Sequence, residues 1–317
     1  MTGAELGRRL REGDRSAAPA ALNLIEDRSP RGRGQAAALL AQVSPTSIGR
    51  EAPAHLVGLT GPPGAGKSML LSALVAVWRR RGQSVAVLAV DPSSKRSGGS
   101  LLGDRARIDH DPRDDGVLIR STAAGGRLGG LAPATREAVD ALAAAFDVVV
   151  VETVGVGQSE TDVEEVCDTV AVVVQPASGD TLQFLKAGIM EVPDILVVTK
   201  ADLGEAAMRA RRDLGQALRS LGSTETPVVL VSSVPPPSGI DELADAIEAH
   251  RARIDLEAAR LRARRLAALA EFAAEHGERA LRALGGRREA ERLLAEQDPQ
   301  LDAPALVRAL EARADAG

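Results

Sequence analysis

The run Gly61-Pro62-Pro63-Gly64-Ala65-Gly66-Lys67-Ser68 constrains the fold of this chain more than any other stretch. It fits G-x-x-x-x-G-K-[ST], a loop whose successive backbone N–H groups wrap a polyphosphate, and that geometry exists only between a strand and a helix. Both neighbours are legible in the sequence. His55–Thr60 is a short apolar run, and from Met69 to Arg81 the residues Leu70, Leu71, Leu74 and Trp78 recur at helical spacing. The glycines let the backbone close around a β-phosphate, and the helix N-terminus adds partial positive charge. Lys67 is expected to bridge the β- and γ-phosphates, and Ser68 to offer its hydroxyl oxygen to Mg²⁺. The nucleotide-binding stretch is read as Gly61 to Met69.

Around this loop, residues 55–231 alternate β-branched runs with amphipathic stretches. The strand candidates are His55–Thr60, Ser84–Val90, Val117–Arg120, Asp147–Glu152, Thr169–Gln175, Ile195–Thr199 and Val228–Val231. Apolar runs interleaved with helices imply an α/β P-loop NTPase fold, with a mostly parallel sheet covered by helices on both faces. The division expected is an N-terminal helical extension over 1–53, a P-loop domain over 54–250 and a C-terminal helical arm over 251–317. Apolar spacing around Ala21 to Ile25 and Ala37 to Leu40 predicts two short helices in the extension. Pro235-Pro236-Pro237 marks a loop before a helix starting near Ser238. In the arm, Ile254, Ala258, Leu261, Leu266, Leu269 and Phe272 recur at helical spacing, and further helices follow Gly286 and Pro299. Spacing alone leaves two roles for that arm, a cap on the sheet or a dimerisation element.

Composition narrows the partners. With a net charge of −5 and 1% aromatic residues, the chain has neither the basic surface nor the stacking platforms of nucleic-acid binders, so no nucleic-acid partner is expected. No apolar run approaches the roughly 18 residues needed to span a bilayer, and no charged-then-apolar leader is present; the expectation is a soluble, cytoplasmic protein with no membrane partner. The single cysteine, Cys167, reads as core filling. His55, His110, His250 and His276 are dispersed, without paired metal-ligand spacing. Of 39 basic residues only Lys67, Lys95, Lys186 and Lys200 are lysines, and two of these fall in nucleotide motifs where a compact ammonium differs from a guanidinium fork.

Two strands end on carboxylates, Asp91 and Glu152. The C-terminal edge of a parallel sheet is where ligands bind, so these acids are placed facing the phosphates, although an acid after a strand also serves as a helix cap. Glu152-x-x-Gly155 resembles a switch motif in which the acid reaches the metal region and the glycine N–H meets the γ-phosphate. Ile195 to Val198 runs into Thr199-Lys200-Ala201-Asp202, which resembles the Asn-Lys-x-Asp base motif of GTPases. Asp202 would accept from guanine N1–H and the C2 amine; adenine has an acceptor at N1 and no amine at C2, and would leave the carboxylate unpaired. The Lys200 stem would lie along the purine. Thr199 in place of Asn is expected to lose an amide that bridges base and P-loop. Ser232, Ser233 and Val234 resemble the loop that supports the guanine carbonyl.

With those residues in hand, the chain resembles the MeaB/ArgK family, GTPases that act as chaperones of adenosylcobalamin-dependent acyl-CoA mutases such as methylmalonyl-CoA mutase. Asp91 to Arg105 is similar to the family's DPSS-x-R-[TS]-GGS-x-LGD block, Val151 to Glu160 to its VETVGVGQSE block, and Gly179 to Glu191 to its GDELQ-x-x-K-x-GIME switch segment. The resemblance implies GTP as substrate and GDP as product, a catalytic set of Lys67, Asp91, Asp104 and Glu152, and Mg²⁺ held by Ser68, Asp91, Asp104 and Glu152. It further implies a nucleotide-dependent switch containing Asp180 and Lys186, an acyl-CoA mutase as partner, and a homodimer formed through the arm. Departures from the family pattern are Met69 for a second hydroxyl, Thr199 for Asn, and Pro176-Ala177-Ser178-Gly179 for Pro-Gly-Ala-Gly. A P-loop kinase and a metal-insertion GTPase share the motif; the first needs an acceptor site and the second a metal relay.

Overall fold

A computed structural model describes residues 1–91, 108–123, 133–153, 163–176 and 193–315, with backbone alone at 91, 123, 133 and 315. The first helices are α1 (Gly3–Arg11), α2 (Ala18–Glu26), α3 (Pro30–Val43) and α4 (Pro45–Ile48). Then come β1 (His55–Thr60), α5 (Lys67–Arg80), β2 (Val85–Asp91), β3 (Val117–Ala123), α6 (Pro133–Ala143), β4 (Val148–Thr153), β5 (Thr169–Val174) and β6 (Ile195–Val198). The chain continues through α7 (Glu205–Ser220), β7 (Val228–Leu230), α8 (Ile240–Arg251), α9 (Leu256–Ala283), α10 (Arg287–Ala295) and α11 (Ala303–Asp315). All seven sequence-derived strands are present, with ends shifted by a residue or so, except that β3 runs on to Ala123.

The strands form one sheet in the order β3-β2-β4-β1-β5-β6-β7, and every pairing among the described residues is parallel. Such a sheet is buried on both faces, which is why the bodies of β4, β5 and β6 read as apolar runs and why β1, β4, β5 and β6 are buried at every position. On one face Val57, Leu59, Val87, Val150, Val173 and Val197 pack against α5 and α8 through Leu70, Leu74, Trp78 and Leu243. Burying each such side chain contributes about 1.5–3 kcal/mol, so this layer holds the frame on which the strand ends are arrayed. On the other face Gly58 is covered so closely that an added Cβ would stand 2.1 Å from Val163 Cγ1, with the Cys167 sulfur 3.4 Å away.

β1 lies between β4 and β5, with β2 and β3 built on one side and β6 and β7 on the other. The crevice at the C-terminal end of β1 is therefore the topological switch point, the place where ligands bind in open α/β sheets. At the opposite edge the dispersed histidines partly converge. His55 Nε2 lies 2.8 Å from Thr169 Oγ1, which is 2.9 Å from His250 Nδ1, and His250 Nε2 meets Asp194 Oδ1 at 3.1 Å.

Residues 54–135 and 146–254 make the sheet unit; residues 1–53, 136–145 and 255–317 make a second, helical unit. In the helical unit the N-terminal segment is tied to the tail: Arg264 forms an ion pair with Glu51 at 2.8 Å, Arg260 donates to the Ala52 carbonyl at 2.6 Å, and Thr46 donates to the Gln300 carbonyl at 2.8 Å. Leu269, Phe272, Leu281, Leu294, Leu306 and Leu310 form the core shared by α9, α10 and α11. The expected two helices before residue 54 are four. Ala258, read as inward, is exposed, and Arg260 is buried instead because its guanidinium finds the Ala52 carbonyl. No helix among the described residues is long and apolar enough to cross a membrane.

Candidate nucleotide site

Gly66 caps α5 in the left-handed conformation (φ 90°), and no side chain caps the helix. The first N–H groups of α5 are thus left for an anion, which is the purpose of a glycine-rich turn at this point. Gly61 enters the loop with φ 145° and lies so close to β5 that a Cβ would sit 2.2 Å from the Val173 carbonyl oxygen. A side chain there would push the loop off the sheet. Lys67 is buried, and its ammonium donates to the carbonyls of Gly61 at 2.6 Å and Pro62 at 3.1 Å, folding back over the loop it serves.

Glu152 stands beside this loop because β4 pairs with both β1 and β2: it is in register with Leu59 on one side and Ala89 on the other. Its carboxylate is 7% exposed, and Oε1 accepts from Ser68 Oγ at 3.2 Å. Thr60 and Thr153, which close β1 and β4, carry buried hydroxyls with no hydrogen-bond partner among the described residues. Those two threonines alternate with Leu59 and Glu152 and so belong to the other face of the sheet; the Ser68 hydroxyl and the Glu152 carboxylate form the oxygen donor pair here, which suits a hard divalent cation that keeps several waters. The backbone of Asp91 ends β2 at the same edge. Asp104, Gly155, Asp180 and Lys186 lie outside the described residues.

Beyond β6, Thr199 is 4% exposed, and its hydroxyl donates to the Ala65 carbonyl at 2.7 Å and the Val174 carbonyl at 3.0 Å. The bridge to the P-loop, expected to vanish with the asparagine amide, is retained by a shorter group. Lys200 follows with φ 55°, the only positive φ outside glycine among the described residues, and its ammonium reaches Gln175 Oε1 at 2.7 Å. A 3-10 turn, Ala201–Leu203, then presents Asp202, whose Oδ1 accepts from Ser232 Oγ at 2.8 Å. Ser232 is buried and exchanges both backbone hydrogen bonds with Ser238, which closes the loop carrying Ser233 and Val234. The Val234 N–H is turned onto Ser232 Oγ at 3.3 Å, and its side chain is 50% exposed, as is that of Met69 at 55%. Thus the fold gathers Gly61 to Ser68 with Glu152 and Thr199, and gathers Asp202 with Ser232.

The family profile described as "Methylmalonyl Co-A mutase-associated GTPase MeaB" matches residues 18–283. The chain belongs to the MeaB family. Its relatives in this family include a probable GTPase of Mycobacterium bovis, 45% identical over 249 residues that cover 76% of this chain and 73% of that one. A methylmalonic aciduria type A homolog, mitochondrial, of Caenorhabditis elegans is 40% identical over 225 residues, 68% of this chain and 56% of that one. Among solved structures, one described as a LAO/AO transport system kinase superposes with a TM-score of 0.65 at 30% identity, covering 98% of this chain and 96% of that one. Helicobacter pylori HypB in complex with nickel, at 20% identity and a TM-score of 0.50 over 67% of this chain and 93% of that one, shares the fold. As a MeaB-family protein, the chain is a GTPase that binds guanine nucleotide and hydrolyses GTP.

Sequence reasoning missed Gln175. It read as the last residue of a strand, and only the pairing of β5 with β6 brings it to Lys200.

Proposed function

We propose that this GTPase is a chaperone of an adenosylcobalamin-dependent acyl-CoA mutase, protecting the mutase or assisting its cofactor loading. The observation that carries the reading is the match of residues 18–283 to a family described by its association with methylmalonyl-CoA mutase. In this reading Asp202, oriented by Ser232, selects guanine, and the Lys200 stem covers the base. Lys67 stabilises charge on the transferring phosphoryl group, where preorganised electrostatics does most of the work. Ser68 and Glu152, with Asp91 and Asp104, would hold Mg²⁺, which when bound would supply neutralisation of phosphate charge. Gly155 contacts the γ-phosphate, and Asp180 and Lys186 belong to a segment whose arrangement depends on nucleotide and is read by the mutase. If the mutase reads nucleotide state, nucleotide state must in turn alter mutase affinity.

The experiment is steady-state GTP hydrolysis with and without methylmalonyl-, isobutyryl- and ethylmalonyl-CoA mutase, repeated with Lys186→Ala and Asp180→Ala. Stimulation by one mutase that is lost in both variants, with GTP affinity retained, is the expected result. Unchanged turnover with every mutase overturns the chaperone reading and leaves the GTPase standing. The C-terminal helices are proposed to carry a homodimer, which sedimentation of the intact chain tests directly.

A further inference from the structure

The base-motif lysine has an unusual setting. Its backbone is left-handed, a conformation that non-glycine residues keep only where their surroundings over-determine it. The surroundings do so here: Thr199 gives both its N–H (2.9 Å) and its hydroxyl (3.0 Å) to the Val174 carbonyl, and Ala201 N–H donates to the Val231 carbonyl (3.0 Å). Those bonds fix where the Lys200 side chain starts, but not where it points. The residue is exposed, and a long flexible stem in water samples many rotamers unless its end is held.

The end is held by Gln175. An ammonium only donates, so the amide atom 2.7 Å from Nζ is the oxygen, and the Gln175 NH₂ faces elsewhere. Gln175 directly follows Val174, the residue whose carbonyl accepts both bonds from Thr199. The end of β5 therefore grips the base motif at two points, Val174 on the backbone and Gln175 on the lysine head. Because β5 also abuts the P-loop at Gly61, one strand end serves phosphate loop and base motif together.

From this geometry we infer that Gln175 is a positioning residue for guanine-nucleotide recognition, presetting the Lys200 stem in the extended form that lies along a purine. It touches no phosphate and takes no part in the hydrolytic step; its contribution is to remove the ordering cost of the lysine at binding. The inference rests on the base-site reading proposed above, and its test separates the two.

GDP affinity in the presence of Mg²⁺ is measured by calorimetry on the full chain for the unmodified protein, Gln175→Ala, Lys200→Met and the double variant, with GTP turnover in parallel. Freeing one long side chain before binding is expected to weaken GDP about three- to tenfold in Gln175→Ala, and the loss falls on KM rather than on kcat. Gln175→Glu keeps an acceptor oxygen at the same reach and restores most of the affinity. In the Lys200→Met background, Gln175→Ala has no further effect, because the group it acts through is gone. If Lys200→Met leaves GDP affinity unchanged, the base-site reading itself fails. If Lys200→Met weakens binding while Gln175→Ala is silent, or costs the same in both backgrounds, the base site stands and the positioning role of Gln175 is overturned.

Discussion

Replacing Thr199 with valine isolates the bond between base motif and P-loop. Valine fills nearly the same volume, so no cavity term enters and only the hydroxyl is lost. That hydroxyl has one proton shared between the carbonyls of Ala65 (2.7 Å) and Val174 (3.0 Å). Val174 keeps the Thr199 N–H at 2.9 Å and stays satisfied. Ala65 is fully buried and loses its donor. A net hydrogen bond contributes about 1 kcal/mol and an abandoned buried carbonyl costs about 1–3 kcal/mol, so the expected loss is about 1–2 kcal/mol for the ligand-free protein. Urea unfolding followed by circular dichroism should show a lower midpoint at unchanged slope. Because Ala65 lies between Gly64 and Gly66, both in left-handed backbone, the loop also loses definition, and GDP affinity should fall roughly two- to tenfold. A stability change within about 0.5 kcal/mol, the scatter of an inconsequential substitution, with GDP affinity intact, would refute the claim that this hydroxyl holds the phosphate loop.

Three further outcomes follow from the same structure. Lys67→Ala should lower GTP turnover by about 10²-fold or more, read in a phosphate-release assay, and full retention of activity would place the chemistry elsewhere. Asp202→Asn should shift preference from guanine to xanthine nucleotides, whose C2 oxygen suits an amide donor; competition between GDP and XDP reads this, and an unchanged preference would remove the carboxylate from base recognition. In the helical unit, burial pushes Glu137 up to about 7 from its ordinary 4.5; Arg28, 3.5 Å away, opposes this, while the charges of Glu271 and Asp140 reinforce it. The folded state then keeps a proton that the unfolded chain has lost between about pH 4.5 and 7, so stability falls as pH rises through that window, by about 1–3 kcal/mol, and is level above it. Glu137→Gln should flatten that slope in denaturation curves at pH 5 and 8, and an identical slope in the variant would show that another group causes it.

The strand–turn–helix around Gly61 to Ser68 was legible because its determinants are local. A glycine-rich turn needs only the strand before it and the helix after it, and hydrophobic periodicity marks both, so His55–Thr60, Gly61 to Ser68 and the inward face of Leu70, Leu71, Leu74 and Trp78 stand where the sequence places them. The inner strands β4, β5 and β6 were legible for a related reason: burial on both faces forces β-branched runs that no surface helix needs, whereas the edge strands β3 and β7 are only partly buried. Asp202 and Ser232 were both singled out by resemblance, but that Ser232 Oγ donates to Asp202 Oδ1 is visible only in the fold. Helix α1 escaped because its buried face is Gly3, Leu6, Gly7 and Leu10, and glycines leave no apolar signal however tightly they pack. What the tertiary structure alone decided is which strand ends become neighbours. Ala65 and Thr199 are 134 positions apart, and Gln175 and Lys200 meet across a pairing fixed by sheet order and register. The raised pKa of Glu137 likewise comes from burial within a unit assembled from residues 1–53, 136–145 and 255–317. Side-chain pattern records what each segment must bury; the contacts that orient Glu152, Thr199 and Lys200 arise from long-range pairing, which a local pattern does not encode.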